Sequence, residues 1–429
     1  MSRITRRNFV YSVGALGAAT SILGWPALGQ AKPTGGRVVV IGGGFGGASC
    51  AKYLRRLSTD IDVTLVERDS KFMTCPFSNA VLGGLYGMDF ITHDYKALSN
   101  AYGVKVVHDS AVDVDPDARK VSLAGGSSLQ YDRLVVSPGI DFQWDAIEGY
   151  DEAASKTMPH AWKAGKQTKI LRKQLEVMPD GGVVIISAPP NPFRCPPGPY
   201  ERASLIAHYL KHNKPRSKIL IFDAKPKFSK QPLFEQGWQA LYPGMIEWIS
   251  EEEGGAIDSV DVKAMTVNPT FGEPTRGDVV NVIPPQKAGA IAELAGLTDD
   301  NGWCPIDQRT FESRRQEHVH VIGDAATAAP MPKSGFAASS QGKVCATAIV
   351  AGLSGQDMPP PSLVNTCYSL VGPDYGISVA AVYRLGADGI AAVQGAGGVS
   401  PKDADASFRV AESRYAVGWY QSITADIWG

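Results

Sequence analysis

Short, continuous apolar runs, separated by turn-rich or helix-periodic segments, set the rhythm of this chain. The first, residues 38–41, is four β-branched residues in a row. A run without polar alternation reads as a strand buried on both faces, as in a parallel sheet. A helical segment follows, then a second strand, DVTLVERD, at 62–69. Similar strands recur in YDRLVVSPG (131–139) and HVHVIGDAA (318–326). Another strand at 183–187 precedes a helix predicted over 201–210. Residues 254–273 read as short strands and turns. Strands alternating with helices in this way predict an α/β fold built on parallel sheets.

The first strand turns into its helix through GGGFGG, where Gly42, Gly44 and Gly47 fit G-x-G-x-x-G. The first glycine permits a tight turn, the second lets a diphosphate approach the backbone, and the third packs helix on strand. The phosphate charge then sits at a helix N-terminus. Glu67 closes the second strand, about twenty residues after the last glycine, where a carboxylate suits the hydroxyls of an adenosine ribose. This order predicts a dinucleotide site. The motif does not separate NAD from FAD; the later segments 131–139 and 318–326 do. They look like the return strand and the second FAD segment of two-dinucleotide flavoproteins, with Gly323 and Asp324 placed for the ribityl chain or flavin phosphate. The FAD domain is then split by an insert. In that insert the strand at 183–187 leads not into glycines but into APPNPFRCPPGPY. Proline offers a phosphate no N–H, so NAD(P)H is not expected to bind there.

Composition changes this picture little. The 429 residues are 44% hydrophobic and 20% charged, with a net charge of −1. Such a chain holds two to four domains and shows no basic footprint for nucleic acid. The leader matters more. SRITRRNF is followed by a weakly apolar run and small residues, the pattern of a twin-arginine export signal over 1–31. No later stretch approaches about 18 unbroken apolar residues, so the mature chain is expected to be periplasmic without a membrane span. Six cysteines in an oxidising compartment leave the pairing open. The histidines show no metal-site pattern, and His208 and His212 fall on a lysine-rich helix face. No C-x-x-C-H is present, so no haem is expected on this chain. Cys75, in KFMTCPFSN, lies close to where a flavin ring would rest. Read from the residues alone, it is filler, half of a disulfide or a covalent hook.

The chain resembles the flavoprotein subunit of flavocytochrome c sulfide dehydrogenase and the related flavoprotein of the Sox thiosulfate-oxidation system. The resemblance spans nearly the whole chain. It is carried by VVVIGGGFGG, TCPFSNAVLGG, PHAWKAG, PFRCPPGPYERAS, NVIPPQKAG, GWCPID, HVIGDA, PMPKSGFAASSQGK and NTCYSLVGPDYGISVAAVYR. Pro76-Phe77 departs from the family pattern after the cysteine. The resemblance implies FAD bonded through the Cys75 sulfur to the flavin 8α-methyl. It also implies a redox-active disulfide, Cys195–Cys367, beside the flavin, with Glu201 as a base for sulfide. Hydrosulfide would open the disulfide to a persulfide and a thiolate, which Arg194 and Arg202 are placed in sequence to favour. Lys333, before the helix at PKSGFAASSQG, is the expected positive partner of the reduced flavin. Cys50 and Cys345 read as small buried residues, and Cys304 leans the same way.

Electrons would leave to a separate c-type cytochrome, expected to be dihaem and paired as a heterodimer. Trp419 and Tyr420 are candidates for that path, with packing as the plainer reading. The expected function is sulfide:cytochrome c oxidoreductase. The alternatives are a partner that activates a sulfur-carrier protein in thiosulfate oxidation and, further off, a sulfide:quinone reductase. The expected plan is a disulfide-reductase-like FAD domain at 34–147 and 286–357, an insert at 148–285, and a C-terminal α+β interface domain at 358–429.

Overall fold

The computed structural model describes residues 35–429; the export signal expected over 1–31 lies outside the described residues. The chain opens with β1 (Gly36–Ile41), α1 (Phe45–Leu57), β2 (Ile61–Val66), β3 (Lys71–Met73) and α2 (Ser78–Leu82). Next come β4 (Thr92–Asp94), α3 (Lys96–Tyr102), β5 (Lys105–Val107), β6 (Ala111–Asp115), β7 (Lys120–Leu123), β8 (Ser128–Gln130), β9 (Arg133–Val136) and β10 (Ile140–Phe142). A second unit contains α4 (Lys166–Val177), β11 (Val183–Ala188), α5 (Gly198–Asn213), β12 (Lys218–Asp223), α6 (Gln231–Leu241) and β13 (Ile246–Ile249). It continues through β14 (Ile257–Asp261), β15 (Thr266–Pro269), β16 (Thr275–Arg276), β17 (Val279–Val282) and β18 (Gln286–Ala288). The rest is α7 (Ala290–Leu294), β19 (Val319–Val321), α8 (Gly335–Ser354), β20 (Ser362–Gly372), β21 (Tyr375–Gly386), β22 (Gly389–Val399) and α9 (Ala406–Trp428).

Two parallel sheets carry the fold, ordered β19-β9-β1-β2-β5 and β13-β12-β11-β17. Val38 to Ile41 are all buried, flanked in parallel by β2 and β9, which is why that run needs no polar face. The strand at 319–321 joins the same sheet beside β9, so the chain returns to its first layer after the insert. The crossing segments β10 and β18 pair antiparallel and tie the two units at their junction. The third layer, β20-β21-β22, is antiparallel and is followed by the 23-residue α9.

Helices α1 and α8 lie together on the first sheet. Their facing residues are small, and Ser49 bonds Ser339 between them at 2.9 Å. Ser334 caps α8 by accepting from the Ala337 N–H, and Gly355, in the left-handed region, ends it. The helix predicted over 201–210 starts earlier, at Gly198. Proline is tolerated in a first turn because the N–H it lacks has no intrahelical partner there.

Candidate active site

The proline loop, β20, the turn after β3 and the start of α8 converge on one cavity. Cys75, Cys195, Glu201 and Cys367 all line it, together with Arg194 and Trp419. Cys75 is presented by a tightly bonded turn. Its carbonyl accepts from the Ser78 N–H and from Ser78 Oγ at 2.6 Å, and Thr74 Oγ1 bonds Tyr420 OH at 2.7 Å. Phe77, part of the departure from the family pattern, takes φ 66° to complete that turn. The Cys75 thiol donates to Trp162 O at 3.2 Å.

Cys195 adopts φ 58°. Its N–H donates to Lys333 O, and its carbonyl accepts from Gly198 N, each at 2.8 Å. The proline loop is thereby pinned both to the segment before α8 and to its own helix. Cys367 enters from β20, and the two thiols are unbridged. Burial pushes the Cys195 thiol well up, and the nearby Cys367 and Glu201 add to the effect. Burial also raises Cys367, and Lys230 opposes that rise.

Glu201 joins three elements. Its Oε2 accepts from Asn79 Nδ2 at 2.8 Å, and its Oε1 from the Leu370 N–H at 2.9 Å. Burial raises its pKa, and those two bonds partly counter the rise. A buried carboxyl held near both cysteines is suited to exchanging a proton with them.

The two arginines expected to favour a thiolate are also held by other partners, and Arg202 interacts electrostatically with Cys75 and Cys195. Arg194 reaches Trp162 O and lies 3.8 Å from Asp324 Oδ2. Arg202, 1% exposed, bonds Asn79, Asn281 and the carbonyls of His160 and Ala161. A further cation, Lys230 at the start of α6, acts on both Cys195 and Cys367. It sits in KPKFSKQP among several lysines, and nothing in that pattern singles it out. Tyr420 is 1% exposed and bonded into the Thr74 turn; Trp419 lines the cavity. Cys50, Cys304 and Cys345 are fully buried.

The residues expected to hold FAD fit that cofactor. Gly42 takes φ +96°, and a Cβ on Gly47 would lie 1.9 Å from Gly42 O, so the turn closes on its helix only with glycine at both points. The Gly43 N–H is bonded by Glu67 Oε2 at 2.7 Å, which fixes the carboxylate beside the loop. Gly44 opens α1 as its N-cap residue. At the second segment Gly323 and Asp324 form one turn, and Asp324 Oδ1 is buried without a partner. Such an orphan acceptor points to a hydrogen-bond donor from outside the chain. Lys333 Nζ donates to the carbonyls of Asp324 and Ala326, and burial lowers its pKa to about 8.

Fold and site together define a flavoprotein of the pyridine nucleotide–disulfide oxidoreductase class. Residues 36–176 match the model of that class. Residues 168–284 match the central domain of the sulfide dehydrogenase [flavocytochrome c] flavoprotein chain, and 359–428 match the flavin-binding domain of flavocytochrome c sulphide dehydrogenase. The flavoprotein chain of sulfide dehydrogenase [flavocytochrome c] from Chlorobaculum thiosulfatiphilum is 73% identical over 45 residues, covering 10% of this chain and 94% of that one. The chain belongs to this flavocytochrome c sulfide dehydrogenase flavoprotein family; it is a sulfide-oxidising FAD oxidoreductase. It is also 24% identical over 363 residues to a sulfide-quinone reductase of Aquifex aeolicus, covering 79% of this chain and 82% of that one. A mitochondrial sulfide:quinone oxidoreductase of Dictyostelium discoideum is 25% identical over 322 residues, 72% of this chain and 69% of that one. In fold, it superposes on the crystal structure of the Aquifex aeolicus sulfide:quinone oxidoreductase with TM-score 0.70 at 18% identity, over 91% of this chain and 92% of that one.

Proposed function

We propose that this chain is the flavoprotein half of a periplasmic sulfide:cytochrome c oxidoreductase, exported by the twin-arginine route, with FAD bonded through Cys75. The observation that carries the reading is the convergence of Cys75, Cys195, Cys367 and Glu201 on one cavity at the opening of α8. Gly42, Gly44, Gly47 and Glu67 would hold the adenosine diphosphate half, and Gly323, Asp324 and Lys333 the flavin half. When bound, the flavin accepts two electrons and releases them singly.

The chain's own residues do the sulfur chemistry. With Cys195 and Cys367 joined as a disulfide, hydrosulfide attacks one sulfur and the other leaves as thiolate. Glu201 takes the proton when hydrogen sulfide enters uncharged. Trp162, whose carbonyl takes the Cys75 hydrogen bond and whose ring lies under Arg202, lines the cavity.

The insert supports an electron route that does not involve nicotinamide. Asp223, at the end of β12, stands where such domains place a ribose-binding carboxylate. It is fully buried and bonded instead by Tyr200 OH, Trp248 Nε1 and Lys225 Nζ. Similarity to sulfide:quinone oxidoreductases over much of the chain favours quinone as the second reading. The test is anaerobic reduction of the holoprotein by sulfide, followed by separate additions of a dihaem c-type cytochrome and a water-soluble quinone. The proposal expects rapid reoxidation by the cytochrome and slow reoxidation by the quinone. Rapid reoxidation by the quinone alone transfers the protein to the second reading.

A further inference from the structure

Among the described residues, Lys230 is a buried cation with no carboxylate in ion-pair contact. It is 8% exposed, and its Nζ donates to Ser369 Oγ at 2.8 Å. Among the described residues, no carboxylate oxygen stands within ion-pair distance of that nitrogen; its ammonium otherwise lies 5.8 Å from the Phe234 ring centroid. Its backbone is in the left-handed region at φ 61°, a conformation that costs a lysine free energy. An ammonium taken from water and left with one hydroxyl is unfavourable unless an anion is available to it in some working state.

The strand geometry says which anion. Ser369 lies two residues after Cys367 on β20, so both side chains leave the strand on the same face. The hydroxyl that holds Nζ therefore anchors it on the side of the strand from which Cys367 projects. Other ionisable groups face this point. Glu201 comes from α5, Cys195 from the proline loop, and Glu412 from α9. Glu201 is occupied by Asn79 and Leu370, and Glu412 by Ser378, Ser400 and Arg409. Of the two cysteines that remain, Cys367 shares its strand face with Ser369 and is the one placed to gain a negative charge beside the ammonium.

We infer that Lys230 is a positioning residue that makes Cys367 the leaving thiolate, and so directs sulfide to the sulfur of Cys195. The step balances as HS⁻ adding to Cys195 Sγ while the Cys195–Cys367 bond breaks and its electron pair goes to Cys367 Sγ. The products are a Cys195 persulfide and a Cys367 thiolate, with one negative charge before and after. The sulfide sulfur is oxidised and the disulfide reduced. A thiol with a stabilised anion leaves faster, and Lys230 meets a full negative charge only as the bond opens, so its effect is larger in the transition state than at rest.

This inference rests on Cys195–Cys367 being the redox pair, and its test does not need sulfide turnover. The holoprotein is reduced, pulsed with iodoacetamide across pH 7–11, and the two cysteines are scored by peptide mass spectrometry. In the native chain Cys367 is expected to be alkylated before Cys195. In Lys230→Gln the preference is lost and the Cys367 midpoint rises by about one pH unit or more; Lys230→Arg keeps both. If Lys230→Gln does not fold, Ser369→Ala decides, with a smaller rise in the same midpoint. An unchanged Cys367 profile in the variant that folds, or Cys195 reacting first in the native chain, overturns the inference. A shifted profile in a protein that does not oxidise sulfide would sink the functional reading and leave the role of Lys230 standing.

Discussion

Single side chains at this site act through what holds them. Cys75 is half-buried at the cavity, on a turn closed by Ser78, Thr74 and Tyr420. A thiol on a rigid turn keeps one direction, which is what attack on a single carbon of a bound ring requires. In acid-precipitated native protein, flavin is expected to stay with the polypeptide. In Cys75→Ser it should pass to the supernatant, with the far-ultraviolet circular dichroism unchanged. Flavin washing out of the native chain would remove the covalent assignment and return Cys75 to an ordinary wall residue. Cys75 was prominent in the sequence because it follows a strand and a glycine motif at a suggestive distance. Lys230 was not, because its meaning comes from Ser369 and Cys367, more than a hundred residues away.

At the level of elements, the start of α5 determines where Cys195 points. A Cβ on Gly198 would lie 2.5 Å from Trp162 Cη2 and 3.1 Å from Cys195 Sγ, while the Gly198 carbonyl accepts from Asn79 Nδ2 at 3.2 Å. Gly198→Ala must therefore displace the tryptophan or the thiol. Sulfide-dependent kcat/KM is expected to fall on the order of 10²-fold, against a stability loss of about 1–3 kcal/mol. Stopped-flow flavin reduction and urea melts measure the two. A rate loss no larger than the stability loss explains would contradict the assignment. The prolines were legible in the sequence as a loop that offers a phosphate few N–H groups. That the same loop is pinned to the segment before α8 followed only from the pairing of the Cys195 backbone with Lys333.

For the whole molecule, the segment around His160 is the weak point at low pH. His160 is buried between the aromatic rings of Phe142 and Trp144, and its Nδ1 accepts from the Trp162 N–H. Its carbonyl accepts from Arg202 and Asn281, residues of the insert. Burial lowers its pKa to about 3, with Lys163, Arg202 and Arg194 adding repulsion. The unfolded chain binds a proton near pH 6.5 that the folded chain refuses until about 3. Stability from this group is thus complete above about 6.5 and drains away as pH falls, by on the order of 5 kcal/mol at the limit. His160→Gln, which keeps an acceptor without a titrating ring, is expected to flatten the loss of stability between pH 6.5 and 4, as read by denaturant melts. An unchanged slope would place the acid sensitivity elsewhere.

By itself, the sequence determined what local physics controls. It specified buried parallel strands from β-branched runs, a dinucleotide turn from spaced glycines, a proline loop in place of a second glycine loop, and the cysteine-bearing segments that mark the family. Those follow from backbone sterics and burial within a few residues. The tertiary structure alone decided that Lys230 faces the sulfur pair, how Glu201 is shared by α2, α5 and β20, and that Trp419 lines the cavity while Tyr420 is buried in the Thr74 turn. Such relations depend on distances between segments far apart in the chain, set by how sheets and helices pack, and no local pattern encodes them.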